Sequence, residues 1–552
     1  MVFFDDLVRE QLQARLQDFE RSAIPCLGGD PLWAALSVRD YYARRDGRPA
    51  WSRGGALKPE ASSVLAAIRA SRTEGLDPSD YHFRTLHRLA GEAHAAPIVG
   101  MAERWSYASA AADLDILLTD AYFILASHYA DGKVDQDAQR ARWNGLSRRV
   151  DPVEVLELGL KEGDPAAALG RLLPQHGYYA ALKKGYARYR ALAERRGWPS
   201  VPAGPVLQIG MKDRGVEVLR DRLALEIGGL GPAPKAIDVF DEALSRAVCA
   251  FQERHSLPTT GLVDAATRTA LDVPASERAR QIALNLERWR WLPSDFGAAY
   301  VLVDVSAFEL SVVEHGVELM RMKIVAGTTA WPTPCFASVM TDFVINPSWL
   351  APQSVLAKEL LNYIKADSNY LPSNKMFLFR GWGEEEFLLD PKAIDFGAVT
   401  AANLDFHLVQ MPGPANVLGR FKFSHPNRYD IYLHDTPYQS DFGQSVRTFS
   451  HGCIRIARPL DFAVFLLGGL SGTAARLLAL ADLEEEAMIP VRKRVDVIVY
   501  SGTAWPLVDG SIHFRPDIYV ADGWLAAALE ERPPAAIGTE PVNNPAKPGK
   551  TK

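Results

Sequence analysis

Four cysteines are spread over 552 residues, Cys26, Cys249, Cys335 and Cys453, and no two form a CxxC pair. That excludes a disulfide framework and a zinc ribbon. One working cysteine among inert ones is the simplest reading. The chain also lacks any uninterrupted apolar run long enough to span a bilayer. The nearest candidate, residues 462–481, is broken by Gly468, Gly469, Gly472 and Arg476 and reads as two short buried helices. Net charge is scarce too. A formal value of -6 lacks the basic signature of a nucleic-acid protein, so no nucleic-acid partner is expected. The opening MVFFDDLVREQLQARL has no basic n-region, long apolar stretch or cleavage site. Taken literally it reads as cytoplasmic, and it fits a mature chain carrying an added start Met equally well.

What is present is ordinary for globular domains: 48% hydrophobic and 23% charged residues. The length suggests roughly three or four domains. The first two hundred residues read as helix, with apolar residues at helical spacing: Val64, Ile68 and Leu76, then Leu114, Leu117 and Phe123. Pro and Gly at 199–205 mark a boundary, giving a helical scaffold over 1–205. Residues 206–274 read as a small three-helix unit. Val216, Leu219 and Leu223 lie on one face, Leu244, Val248 and Phe251 on another, and Asp264 caps a third helix. From Tyr300 the period shortens to that of strands, at 300–305, 308–313, 320–325, 429–434 and 495–500. Residues 275–530 are therefore expected to form a mostly β domain. Residues 351–414 break its texture as a long insertion of the kind that covers sites. Residues 531–552 carry Pro, Gly, Asn and Lys without periodicity and read as a disordered tail. The fold class is thus multidomain α+β.

The chemistry concentrates in Ser450-His451-Gly452-Cys453-Ile454-Arg455. A thiol becomes a nucleophile when a nearby imidazole takes its proton. Upstream, Ile431-Tyr432-Leu433-His434-Asp435 reads as a strand ending in histidine, and fifteen residues separate His434 from Ser450. Gly452 lets the backbone bend beside the sulfur, so that N–H groups can face a developing oxyanion. The residues alone allow Cys–His acyl transfer, a buried thiol beside a satisfied histidine, or a metal set from His434, Asp435, His451 and Cys453. His-x-Cys is unusual spacing for zinc, so no metal is expected. His407 and His425 belong to no constellation.

His434, the spacing, Ser450-His451-Gly452-Cys453 and then an apolar residue and Arg455 together resemble the signature of the L,D-transpeptidase (YkuD-like) catalytic domain. Gly327, Thr333-Pro334, Ile345-Asn346-Pro347-Ser348-Trp349, Gln410-Met411-Pro412-Gly413-Pro414-Ala415-Asn416 and Lys422-Phe423 look like the large Gram-negative members. So do Tyr41-Tyr42, Arg48-Pro49-Ala50-Trp51 and Glu74-Gly75-Leu76-Asp77-Pro78 in the scaffold. The wording from Arg214-Gly215 to Leu271 resembles a peptidoglycan-binding domain.

The resemblance implies that Cys453 attacks and that His434 is base and then acid, oriented by the Asp435 carbonyl. It implies an oxyanion hole from the Gly452 and Cys453 N–H groups, with Tyr432 lining the site. Arg455 is left either in a salt bridge within the loop or on a substrate carboxylate. His451 is support near the substrate, and Trp382 in the insertion is expected to cover a bound stem peptide. No cofactor is expected. The expected partners are peptidoglycan stem peptides, the sacculus and carbapenem β-lactams as covalent inhibitors, in the periplasm. The implied reaction is 3→3 cross-linking of a donor tetrapeptide. Water, a D-amino acid or a protein lysine are alternative acceptors, and a wall-binding scaffold with a vestigial site is the other reading.

Overall fold

The computed structural model describes residues 4–19, 25–92, 101–135, 143–144, 150–228, 230, 236–507 and 510–531. The tail expected from residue 532 onward lies outside them.

The N-terminal region is helical around the long helix Met101–Asp131. Its apolar residues come on several faces because other helices surround it, and Leu114, Leu117, Tyr122 and Phe123 are fully buried. Two buried carboxylates on this helix organise the loops about it. Asp115 accepts from the Tyr42 hydroxyl at 2.7 Å and from the Ala50 and Trp51 N–H groups at 2.6 and 3.1 Å. Asp120 accepts from the Ala34 N–H at 2.7 Å and meets His82 Nε2 at 2.8 Å. A buried carboxylate is tolerated only when donors surround it. Tyr42 and Ala50-Trp51 are therefore hydrogen-bonding hardware of the scaffold, while Tyr41 packs edge-on against Tyr42 and Phe123.

Three helices follow: Arg214–Ile227, Glu242–Arg254 and Ala265–Asp272. Asp213, Asp241 and Asp264 cap them through their side chains. Their core is Val216, Leu219, Leu223, Phe240, Leu244, Val248, Phe251, Val263 and Leu271. This unit is sealed to its neighbours. Glu226 accepts from Tyr189 of the scaffold helix Gly177–Glu194 at 2.9 Å, and it bonds His255 at 2.9 Å and Arg222 at 2.5 Å. Burial alone would raise its pKa, but His255 and Arg222 hold the Glu226 carboxyl far below the usual carboxylate range. Ser256 donates to the Phe514 carbonyl at 3.2 Å, and the Arg278 guanidinium lies 4.6 Å over the Phe514 ring.

The C-terminal region is built on a twelve-stranded sheet. Its path runs Ala487–Pro490, Asp342–Ile345, Phe421–Ser424, Leu433–His434, Ile454–Ile456, Val317–Gly327, Glu309–Glu314, Ala299–Asp304, Asp496–Tyr500, Cys335–Val339 and Trp143–Asn144, and Thr448–Ser450 joins beside Val317–Gly327. The last strand of the path comes from the scaffold region and pairs with Cys335 and Phe336. Alternation places Val301, Val303, Leu310, Val312, Phe343, Phe423, Leu433, Ile454 and Ile456 in the core. His315 and Gly316, at φ 50° and 78°, make the tight turn between Glu309–Glu314 and Val317–Gly327.

Two local readings differ. Residues 429–432 are not strand: Asp430 takes φ 53° and Asn427 donates to the Ile431 carbonyl at 2.7 Å, so the strand shrinks to Leu433–His434. The two helices expected within 462–481 form but are only one-sided: Pro459–Leu466 buries Phe462, Ala463 and Leu466, and Thr473–Ala481 buries Leu477 and Ala481.

The insertion is a subdomain with its own four-stranded sheet, ordered Trp349–Leu350, His407–Gln410, Met376–Arg380 and Phe387–Leu388. Leu356, Leu360, Leu361, Ile364, Leu371, Leu378 and Leu408 form its core. Asn416 donates to the Pro347 carbonyl at 3.0 Å, and Gln410 to the Ala415 carbonyl at 3.0 Å, closing its base. Among the described residues no helix is long and apolar enough to cross a membrane.

Candidate active site

Neighbouring strands carry the site. Phe421–Ser424 runs antiparallel to Leu433–His434, with Lys422 opposite His434. Leu433–His434 pairs in parallel with Ile454–Ile456, with His434 opposite Arg455. The Ile454 N–H donates to the Tyr432 carbonyl at 3.1 Å, which sets Cys453 beside Tyr432. A parallel pair needs a crossover to return the chain, and the segment between His434 and Thr448 supplies it.

The turn into Cys453 is held from within and behind. Gly452 has φ 112°, and a Cβ there would lie 3.1 Å from Ile431. Its carbonyl accepts from the Thr333 hydroxyl at 2.8 Å, and Thr333 Oγ1 in turn accepts from the Gly327 N–H at 2.9 Å. Ser450 Oγ donates to the Cys453 carbonyl at 2.5 Å and accepts the Gly452 N–H at 3.1 Å. In this conformation the Gly452 N–H is engaged with Ser450 and is not open to a substrate oxyanion.

The Cys453 thiol meets Tyr432 through the backbone N–H and the hydroxyl, and the Asp430 carbonyl at 3.8 Å. Burial pushes its pKa up to about 11, against the contacts of Tyr432 and the charge of Lys422. Lys422 Nζ sits 4.6 Å over the Tyr432 ring. His434 is buried, and its Nδ1 lies 2.5 Å from the Asp435 carbonyl. With Nδ1 as donor to that carbonyl, the other ring nitrogen is the acceptor. Burial, with the cationic Arg455 beside it, lowers the His434 pKa to about 3. The resting pair is thus a neutral thiol and a neutral imidazole, where the residues alone suggested an ion pair. Asp435 also accepts, through its carboxylate, from the Arg420 and Thr436 N–H groups at 2.8 and 2.7 Å.

The remaining expected residues separate. Arg455 is paired with Asp441 at 2.8 Å and lies 5.4 Å over Tyr438, so the salt bridge within the loop is realised and the guanidinium is already engaged. His451 bonds Glu359 of the insertion at 2.7 Å. Trp382 is 63% exposed and stacks on His407, with ring centroids 4.1 Å apart. Gly381 beside it has φ 81°, and a Cβ would strike the Glu385 carbonyl. His407 is a buried support that bonds Glu386 at 2.9 Å.

Sequence reasoning gave no site role to four contributors: Lys422 and Trp349, named there only within longer motifs, and Asp430 and Glu359, not named at all; the Trp349 side chain bonds Tyr432. Lys422 was detectable as the one cation in the Phe421–Ser424 alternation. Asp430 and Glu359 had no local signal.

Residues 298–487 match the family described as "L,D-transpeptidase catalytic domain", 36–185 the "Scaffold domain", and 214–271 the "Putative peptidoglycan binding domain". A Haemophilus influenzae protein named "Putative L,D-transpeptidase" is 29% identical over 253 residues, 45% of this chain and 50% of that one. The chain thus spans about half the length of the curated relative it matches. Among solved structures, an L,D-transpeptidase from Mycobacterium smegmatis is 15% identical over 37% of this chain and 58% of its own, with a TM-score of 0.18. An L,D-transpeptidase in complex with imipenem is 14% identical over 36% and 58%, with a TM-score of 0.17. Residues 298–487 thus match an L,D-transpeptidase catalytic domain, behind matches to a scaffold domain and a peptidoglycan-binding domain.

Proposed function

We propose that this chain is a cysteine L,D-transpeptidase that makes 3→3 cross-links in periplasmic peptidoglycan. The observation that carries the reading is the parallel pairing of Leu433–His434 with Ile454–Ile456, which brings the base strand beside the nucleophile's turn. The thiol turns from Tyr432 toward His434 and gives up its proton as sulfur attacks the carbonyl of the third residue of a donor stem tetrapeptide. The tetrahedral oxyanion is received by the Cys453 N–H. Its collapse breaks the peptide bond, and His434 returns the proton to the departing D-alanine. The side-chain amine of a diamino acid on a second stem then attacks the thioester, His434 takes its proton, and the thiolate is released and reprotonated. A neutral imidazole suits this order, because it accepts the proton during attack rather than before it.

The scaffold domain and three-helix domain supply the wall contact. A carbapenem offers a strained carbonyl to the same sulfur and is expected to leave a stable adduct. The test is incubation with disaccharide-tetrapeptide, read by intact mass for the thioester and for the cross-linked dimer. Both are expected, and both are expected to vanish in Cys453→Ala. A thioester or dimer persisting in that variant defeats the proposal.

A further inference from the structure

The insertion touches the nucleophile's turn through two consecutive side chains. They sit on the π turn Leu356–Leu360 within the helical run from Gln353 to Ala366. A π turn adds a residue to the helical register, re-aims the side chains on it, and recurs at functional positions. Here Leu356 and Leu360 stay buried in the insertion's core while Lys358 and Glu359 reach out. Glu359 Oε1 is 2.7 Å from His451 Nε2, and Lys358 Nζ lies 4.6 Å over the Trp331 ring.

The two targets belong to one body. His451 and Trp331 face each other with ring centroids 5.8 Å apart. The Thr328 N–H donates to the Ser450 carbonyl at 2.9 Å, and Thr333 bridges Gly327 and Gly452. The loop holding Trp331 and the loop holding Cys453 therefore move together.

We propose that Glu359 is a positioning residue: its bond to His451, with Lys358 on Trp331 as a second grip, sets the Cys453 turn for attack when the insertion is seated. The proposal rests on Cys453 as nucleophile. Both partners of the pair are partly exposed, His451 at 37% and Glu359 at 40% of their side chains. Such a pair contributes little to stability and opens readily, which suits a clasp that must yield to substrate and close again.

The test uses the full chain and a small carbapenem, with adduct formation followed by intact mass over a concentration series. Glu359→Ala is expected to lower the limiting first-order acylation rate about 3- to 10-fold, as loss of a weak pair predicts, with the half-saturating concentration unchanged. Glu359→Gln keeps an acceptor for His451 and is expected to recover the rate to within about 2-fold. Lys358→Met should lower the rate less than Glu359→Ala. An unchanged limiting rate in Glu359→Ala overturns the clasp. So does a fall in Glu359→Ala that Gln fails to rescue. In either case the nucleophile reading survives if Cys453→Ala takes no adduct. An adduct on Cys453→Ala would instead remove that reading, and the clasp with it.

Discussion

Two interfaces of the chain are built in opposite ways. The three-helix domain is seated through buried groups: Glu226, paired within the domain to Arg222 and His255, accepts from Tyr189 of the scaffold helix Gly177–Glu194, and His255 stacks on Phe514 with ring centroids 5.2 Å apart. The insertion meets the nucleophile's turn through the half-exposed pair of His451 and Glu359 and one lysine over an indole. A buried ionic cluster is costly to break and fixes one geometry, whereas an exposed pair opens at little cost. The three-helix domain is thus seated through buried groups, while the insertion meets the Cys453 turn through half-exposed ones. Removing residues 214–271 would uncover the Phe514 and Tyr189 surfaces. Point changes test this arrangement better than deletion.

The sharpest test of the catalytic side is His434→Ala, expected to slow acylation by about 10²–10⁴-fold, the usual worth of a general base. His451→Ala should cost far less, and a reversed order, measured by adduct formation, would move the base to His451. The pH dependence has a definite sign. Folded His434 protonates near 3, below its ordinary 6.5, so acylation should hold from neutrality to well below pH 6 and fail only toward 3. An acid limb centred near 6.5 would mean the imidazole is not buried as described. The same depression makes the neutral form the stabilising one. Its contribution is complete above about 6.5 and is lost as pH falls toward 3, at about 1.4 kcal/mol per pH unit.

On the buried side, Glu226→Ala leaves Arg222 buried without its carboxylate. It should cost about 3–5 kcal/mol, read as a lower midpoint in thermal unfolding, with acylation at low temperature near that of the parent. An unchanged midpoint would show that the junction is not held by this cluster.

Much of this was legible in the sequence because it is local. The helical period around Val216, Leu219 and Leu223 is set by burial on one face, and the Asp264 cap follows from side-chain chemistry within one turn. The strands at 300–305 and 308–313 were readable for the same reason. What escaped depends on distant pieces. The turn at Asp430 replaces a strand signal because Asn427 captures the backbone there. Glu359 lies on a helix whose register is altered by a π turn, and nothing in Leu-Ala-Lys-Glu-Leu announces His451 as its partner. The neutral resting pair of Cys453 and His434 was hidden as well, since it follows from burial and not from residue identity.

The smallest expected effect concerns Trp382, which decides whether the insertion acts beyond its clasp. Its indole stacks at 10° on His407, which bonds Glu386, yet most of its surface is open. Trp382→Ala removes one ring pair and should lower stability by about 1 kcal/mol or less. Acylation by a small carbapenem should be unchanged, because among the described residues the ring stacks on His407 and not on the Cys453 turn. If the indole covers a bound stem peptide, its loss admits water to the thioester, and the hydrolysed fraction of the tetrapeptide acyl-enzyme should rise several-fold relative to cross-linked product. Gly381→Ala provides the companion measurement, since its φ of 81° and the nearby Glu385 carbonyl oppose a side chain and should displace the same ring. If both variants kept the parent's ratio of hydrolysis to cross-linking, Trp382 would serve only as the roof of His407, and the insertion's influence on the nucleophile would run through Glu359 and Lys358 and through Trp349 on Tyr432.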